Sequence, residues 1–191
     1  MIHHRNFVRM FKDKPPMKGI TTLQIHISDK ANQDIVEFLD NIDPQARLHS
    51  FKIMSPDSQA KRIYAGSFNS ILSVTKRVKK EVIFYTKQMT GLQFAELFHS
   101  CSHLIGSFGL FNSSLINMEC FQIDPEITYH FKELYINGAV RSKEDWDILA
   151  DQLSQTNLKE SLETIYVNFW YKNTAKKALF GFKARITNYA V

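Results

Sequence analysis

The sequence predicts an α/β fold built as a short stack, with about six parallel strands in sequence order and helices on one side. Three observations carry this expectation. A six-residue apolar signature recurs along the 191-residue chain. A stripe of apolar residues at helical spacing follows most copies, and the step from signature to stripe is nearly constant. One strand-and-helix unit used repeatedly is how stacked architectures bury apolar faces that no unit could bury alone.

The signature places large apolar residues at its first, fourth and sixth positions. The copies are Ile20/Leu23/Ile25, Leu48/Phe51/Ile53, Ile105/Phe108/Leu110, Phe131/Leu134/Ile136 and Leu162/Ile165/Val167, while Lys79/Val82/Phe84 keeps only the last two. The middle residues fall at 23, 51, 82, 108, 134 and 165, at intervals of 28, 31, 26, 26 and 31. The last two apolar positions lie two residues apart, so they point the same way from a short strand.

Helices follow four of the strands. Ile35, Phe38, Leu39 and Ile42 stand at i, i+3, i+4 and i+7. Phe94, Leu97, Phe98 and Cys101 repeat that spacing, as do Trp146, Leu149, Ala150 and Leu153, and Phe68, Ile71 and Leu72 give a shorter version. Such a stripe covers one face of a sheet and leaves the opposite side of the helix wet. The steps Ile25 to Ile35, Phe84 to Phe94 and Ile136 to Trp146 are each 10 residues. Phe51 to Phe68 is 17, with a turn inserted at Ser55-Pro56-Asp57. The fourth unit has no such stripe; Asn112-Ser113-Ser114 and Asp124-Pro125 mark an irregular connection instead.

A doubly wound parallel sheet would also alternate strand and helix. The stacked reading is preferred because the 7 glycines form neither a Gly-x-Gly-x-x-Gly nor a Gly-x-x-x-x-Gly-Lys turn after any strand. Over residues 20–168 the pattern resembles a divergent leucine-rich repeat (LRR), closest in unit length to the ribonuclease-inhibitor type. It departs from that family in using isoleucine and aromatics for many leucines. Ser28, Pro56, Lys87, Ser113, Ala139 and Trp170 also stand where an asparagine or cysteine ladder belongs. The resemblance implies a solenoid whose strand residues between the apolar positions face a concave, solvent-side surface. These are Gln24 and His26, Lys52 and Met54, Ile83 and Tyr85, Gly109 and Phe111, Tyr135 and Asn137, and Tyr166 and Asn168. Ile83, Tyr85, Phe111, Tyr135 and Tyr166 then form a row of the side-chain types that anchor protein interfaces.

Composition and charge divide the chain into three parts. With 44% hydrophobic and 23% charged residues it can build one soluble core. The formal net charge is +5, but residues 1–19 carry +4 and residues 169–191 carry +5, leaving −4 on residues 20–168. The expected organisation is a basic, apolar N-terminal arm (1–19), the repeat body (20–168) and a basic, aromatic C-terminal arm (169–191). Arg5 and Arg9 in the first arm, and Trp170, Lys176 and Lys177 in the second, join the candidate partner contacts. Basic arms on an acidic body suit an anionic surface, which could be another protein, a membrane headgroup layer or RNA. Residues 1–14 are basic with a single acid, Asp13, loosely as a mitochondrial targeting segment is. No stretch approaches the roughly 20 apolar residues of a membrane span, and two cysteines, Cys101 and Cys120, are too few for a disulfide framework. An intracellular protein, mitochondrial or cytoplasmic, is expected.

Chemical sites are sparse. His99 and His103 stand at i and i+4 of a helix, but Cys101 lies about 160° away in projection, since each residue advances about 100°. That spreads the three ligands rather than converging them on a metal. Glu144, Asp145 and Asp147 suit the first turn of the helix holding Trp146, with Ser142 as its N-cap. No Ser/His/Asp or Cys/His arrangement emerges from spacing. The sequence thus predicts no enzymatic activity, no cofactor, no metal and no small-molecule substrate. It predicts a non-catalytic interaction or scaffolding subunit of a larger multiprotein assembly, a mitochondrial complex accessory subunit being one form. The alternative is an RNA- or ribosome-associated factor that uses the basic termini.

Overall fold

The computed structural model describes residues 18–26, 32–54, 65–86, 88–111 and 114–189. Arg5, Arg9 and nearly all of the expected N-terminal arm lie outside that set. The elements in chain order are β1 (Thr22–His26), α1 (Asn32–Asp40), β2 (Leu48–Met54), α2 (Ala65–Thr75), β3 (Val78–Tyr85), β4 (Gln88–Thr90), α3 (Gly91–Ser100), β5 (Ser107–Phe111), β6 (Ser114–Ile116), β7 (Glu133–Asn137), α4 (Lys143–Ser154), α5 (Leu158–Ser161), β8 (Thr164–Val167), α6 (Lys172–Ala178) and β9 (Arg185–Asn188). Short 3-10 turns cover Met118–Cys120 and Phe169–Tyr171.

Seven strands form one sheet in the order β1-β2-β3-β5-β7-β8-β9, every pair parallel. The sheet runs in one direction through the chain, with no reversal of the kind that defines a doubly wound fold. The register places Leu23, Phe51, Val82, Phe108, Leu134 and Ile165 side by side across six strands. Ile186 of β9 pairs with Ile165 and adds a seventh. Six strands were expected because Lys183/Ile186/Asn188 keeps just one apolar position of the signature. Residues 169–189, read from the sequence as an arm, hold a 3-10 turn, α6 and β9, which joins the sheet edge.

Recurrent backbone bonds tie one unit to the next at the strand entrances. The His49 N–H donates to the Thr21 carbonyl at 2.7 Å, Ile105 to Lys79 at 3.0 Å, Lys132 to Gly106 at 2.8 Å, Glu163 to Lys132 at 2.9 Å and Arg185 to Glu163 at 2.9 Å. The defective third copy of the signature is repaired in three dimensions. The pairing of β2 and β3 shifts between Leu48 and Ser50, so Leu48 stands beside Val78 rather than Lys79. An extra residue in β3 lets buried Val78 fill the first position, as a bulge does. In the fourth unit, Leu104 is buried and Ile105, expected in the core, is 50% exposed.

All the helices bury their apolar stripes against the same face of the sheet. One cluster joins Phe38 and Leu39 of α1, Phe68, Ile71 and Val74 of α2, Phe94, Leu97 and Phe98 of α3, Trp146, Leu149 and Leu153 of α4, and Ala175 of α6 to the signature residues. Each such side chain contributes about 1.5–3 kcal/mol when fully buried. Helix starts follow local chemistry. Thr90 and Gln93 form a capping box on α3, and the Ser142 hydroxyl accepts from Asp145 N–H at 3.0 Å on α4. The fourth unit is irregular, as expected. Its chain is held by neighbours instead: Gln152 Oε1 accepts from Ile123 N–H at 3.0 Å, and Asn157 both accepts from Tyr129 N–H at 2.9 Å and donates to its carbonyl at 2.7 Å. Backbone groups without a helix or sheet ladder need such partners. The strands β4 and β6 make a separate two-stranded parallel ribbon.

The sheet is not curled. The expected solenoid is therefore met as an α/β fold with a parallel sheet in chain order, without the curvature. Among the described residues, no helix is long and apolar enough to cross a membrane.

Candidate protein-binding surface

The sheet face opposite the helices is where the sequence places its aromatic row, and it is organised in three tiers by the strand register. The first tier holds Ser50, Glu81, Ser107, Glu133, Thr164 and Arg185; the second Lys52, Ile83, Gly109, Tyr135, Tyr166 and Thr187; the third begins Met54, Tyr85, Phe111 and Asn137. On the β2–β3 side the face is ionic. Lys52 Nζ lies 2.8 Å from Glu81 Oε2, which also accepts from the Ser50 hydroxyl at 2.8 Å. From β3 to β9 it is aromatic.

Gly109 is the hinge of this arrangement. A Cβ there would come within 2.8 Å of Phe111 Cε2 and 3.3 Å of Tyr135 Cβ. The Phe111 ring thus folds down over the glycine and fills the gap between Ile83 and Tyr135. A glycine inside a strand often marks such a close approach. The ring stacks on Tyr85 at 4.6 Å and 16°, and lies 5.9 Å from Tyr135 and 5.0 Å from Tyr189. Tyr135 and Tyr166 stack at 4.2 Å and 7°. Tyr189, just past β9, crosses Tyr135 edge-to-face at 5.3 Å and 86°, anchored by its N–H donating to the Val167 carbonyl at 2.9 Å. Such pairs each contribute about 0.5–1.5 kcal/mol beyond their buried area.

Two of the expected contact residues are therefore corrected. Ile83 is 8% exposed and Phe111 1%, so both support the surface from beneath instead of reaching a partner. Tyr85, Tyr135 and Tyr166 remain half-buried, with Tyr189 beside them. Their ring faces pack on one another, and their hydroxyls are engaged within the face as well. Burial raises the Tyr135 phenol, and so do hydrogen bonds with Glu133 and Tyr166; its hydroxyl donates to Glu133 Oε2 at 3.0 Å. Tyr85 is raised by burial first, then by the Tyr189 hydroxyl and Glu81. These groups stay neutral and able to donate at physiological pH.

Asn168 Nδ2 donates to Asn137 Oδ1 at 2.9 Å. A two-membered asparagine ladder thus exists one residue past the signature, rather than three as the sequence reading expected. Trp170, 83% exposed, follows directly in the 3-10 turn, and Lys176 and Lys177 are exposed on α6. These three lie between Tyr166 and Tyr189 along the chain, in the 3-10 turn and α6. Tyr189 escaped the sequence reading, which placed Gly109 on this face but did not see it as the support for Phe111. The signal for Gly109 was its place in the middle of Ser107–Phe111, whereas Tyr189 offered none because β9 keeps so little of the signature.

The histidine and cysteine candidates diverge. The His99 Nε2 accepts from Asp124 N–H at 3.0 Å, and burial lowers its pKa. His103 Nε2 lies 2.8 Å from the Val78 carbonyl. Cys101 is buried, and burial pushes its thiol up to about 12. All three side chains are committed to separate structural surroundings. Comparison with protein-family models, with curated proteins and with solved structures found no match to the chain.

Proposed function

We propose that this chain is a non-catalytic, LRR-like interaction subunit whose helix-free sheet face docks another protein of a larger assembly, a mitochondrial complex being one candidate setting. The observation that carries the reading is the tyrosine cluster Tyr85, Tyr135, Tyr166 and Tyr189, packed ring on ring around a buried Phe111 on the helix-free sheet face. Pre-packed rings lose little conformational entropy on binding, which suits a protein contact. The stack of strand-and-helix units in chain order supplies a flat platform for it. Among the described residues β1 and β9 end the sheet, and such edges are consistent with neighbours that shield them.

The test is affinity purification of the tagged full-length chain at two salt concentrations, beside a Tyr135→Ser/Tyr166→Ser variant. A protein that is retained at high salt and lost from the variant supports docking through the cluster. Co-purification unchanged by the variant refutes it. The alternative, an RNA-associated factor, draws on the exposed Lys176 and Lys177; it requires RNA in the eluate and release that steepens with salt.

A further inference from the structure

The last helix of the chain presents a second surface, unrelated to the tyrosine cluster. Buried Ala175 and Leu179 set its inner side, while Asn173, Lys176 and Lys177 face solvent. Phe180 is exposed in the turn just past the helix end. At the other end, Phe169 and Trp170 project from the 3-10 turn. Their exposures are 68% for Phe169, 83% for Trp170 and 90% for Phe180, so three of the most water-exposed large apolar side chains bracket two lysines over about 10 Å of helix.

The turn that carries Phe169 and Trp170 is tied to the sheet. Asn168 Oδ1 accepts from Trp170 N–H at 3.0 Å, and the same side chain is tied to Asn137 at 2.9 Å. Beside Phe180, the Lys159 Cε sits 3.9 Å from where a Cβ on Gly181 would be, which adds a cation at that end. Residues 169–191 contain five basic residues and no acid. One of them, Lys183, is ion-paired with Glu160 at 2.6 Å; Lys176 and Lys177 are exposed at the centre of the patch.

We infer that this face of α6 is a docking surface for an anionic lipid bilayer. Exposed tryptophan and phenylalanine rings favour the boundary between headgroups and acyl chains, and lysines at the same level meet the anionic headgroups. A nucleic acid fits the geometry less well. Phe169 and Trp170 meet edge-to-face at 85°, so they offer no pair of parallel faces to successive bases. A continuous apolar layer under a negative surface accepts all three aromatic tips and both lysines together.

The test uses the full-length chain with vesicles of phosphatidylcholine, with or without phosphatidylserine. Only two tryptophans are present, and Trp146 is 1% exposed, so changes in emission report Trp170. The expected result is binding to the anionic vesicles alone, with a blue shift and quenching by bromine-labelled lipid. Lys176→Ala/Lys177→Ala should weaken partitioning about thirtyfold, roughly fivefold per lysine. Trp170→Ala/Phe180→Ala should also lose binding with an unchanged thermal melt, since both rings are exposed. The Tyr135→Ser/Tyr166→Ser variant should bind vesicles normally, which separates this inference from docking through the tyrosine cluster. It is overturned if anionic vesicles leave Trp170 emission unchanged, if neutral vesicles bind equally well, or if polyuridylate shifts Trp170 while vesicles do not.

Discussion

Gly109→Ala tests the packing beneath the tyrosine cluster. The added methyl would sit 2.8 Å from Phe111 Cε2 and 3.3 Å from Tyr135 Cβ. The phenylalanine ring cannot swing aside freely, because Tyr85 lies 4.6 Å away on one side and Tyr189 5.0 Å away on another. Overpacking of this kind costs about 1–3 kcal/mol. In a chain of this size each kcal/mol lowers Tm by about 2–4 °C. Phe111→Ala alone removes a buried ring and should cost about 3–5 kcal/mol. In that background the clash with the ring is gone and the 3.3 Å approach to Tyr135 Cβ remains, so Gly109→Ala should be near neutral. The two changes should therefore couple by about 1–3 kcal/mol in a denaturant double-mutant cycle. Additivity within about 0.5 kcal/mol would mean that the ring does not lie over the glycine, and the account of the cluster's support would fail with it.

Three further outcomes are expected. Cys120 is exposed while the buried Cys101 thiol is raised to about 12, so a thiol reagent at mild alkaline pH should modify one cysteine in the folded chain and both after denaturation; two fast equivalents in the native state contradict the burial. Tyr85 and Tyr135 are both raised in the folded state, so the folded chain holds protons that the unfolded chain releases near pH 10. Stability should then be intact below about pH 10 and fall as pH climbs above it; a denaturation midpoint that is flat across this range counts against buried, hydrogen-bonded phenols. Replacing Ser142 by Ala removes the acceptor for Asp145 N–H and should cost about 1 kcal/mol in urea unfolding, with Gly at the same position costing less.

The helices over Phe68–Leu72, Phe94–Cys101 and Trp146–Leu153 were legible because their apolar stripes and caps are local. Position by position, the signature also told which strand residues face the helices, since alternation along a strand assigns faces without reference to anything distant. The contact surface was legible in residue type but not in depth. Ile83 and Phe111 have the same face as Tyr135 and Tyr166, yet they lie beneath their neighbours because Gly109 leaves a hole that only the Phe111 ring can fill.

What the sequence by itself determined is therefore the unit: a strand, a helix, a two-faced apolar pattern and a repeat interval close enough to constant to set strands side by side in chain order. Tertiary structure alone decided the rest. It recruited β9, whose single apolar signature residue is too weak a local signal, through ladder hydrogen bonds to β8. It chose Val78 over Lys79 through a bulge, and it left the sheet uncurled. Each of these depends on what a neighbouring strand offers across several ångströms, a quantity that spacing along one chain does not carry.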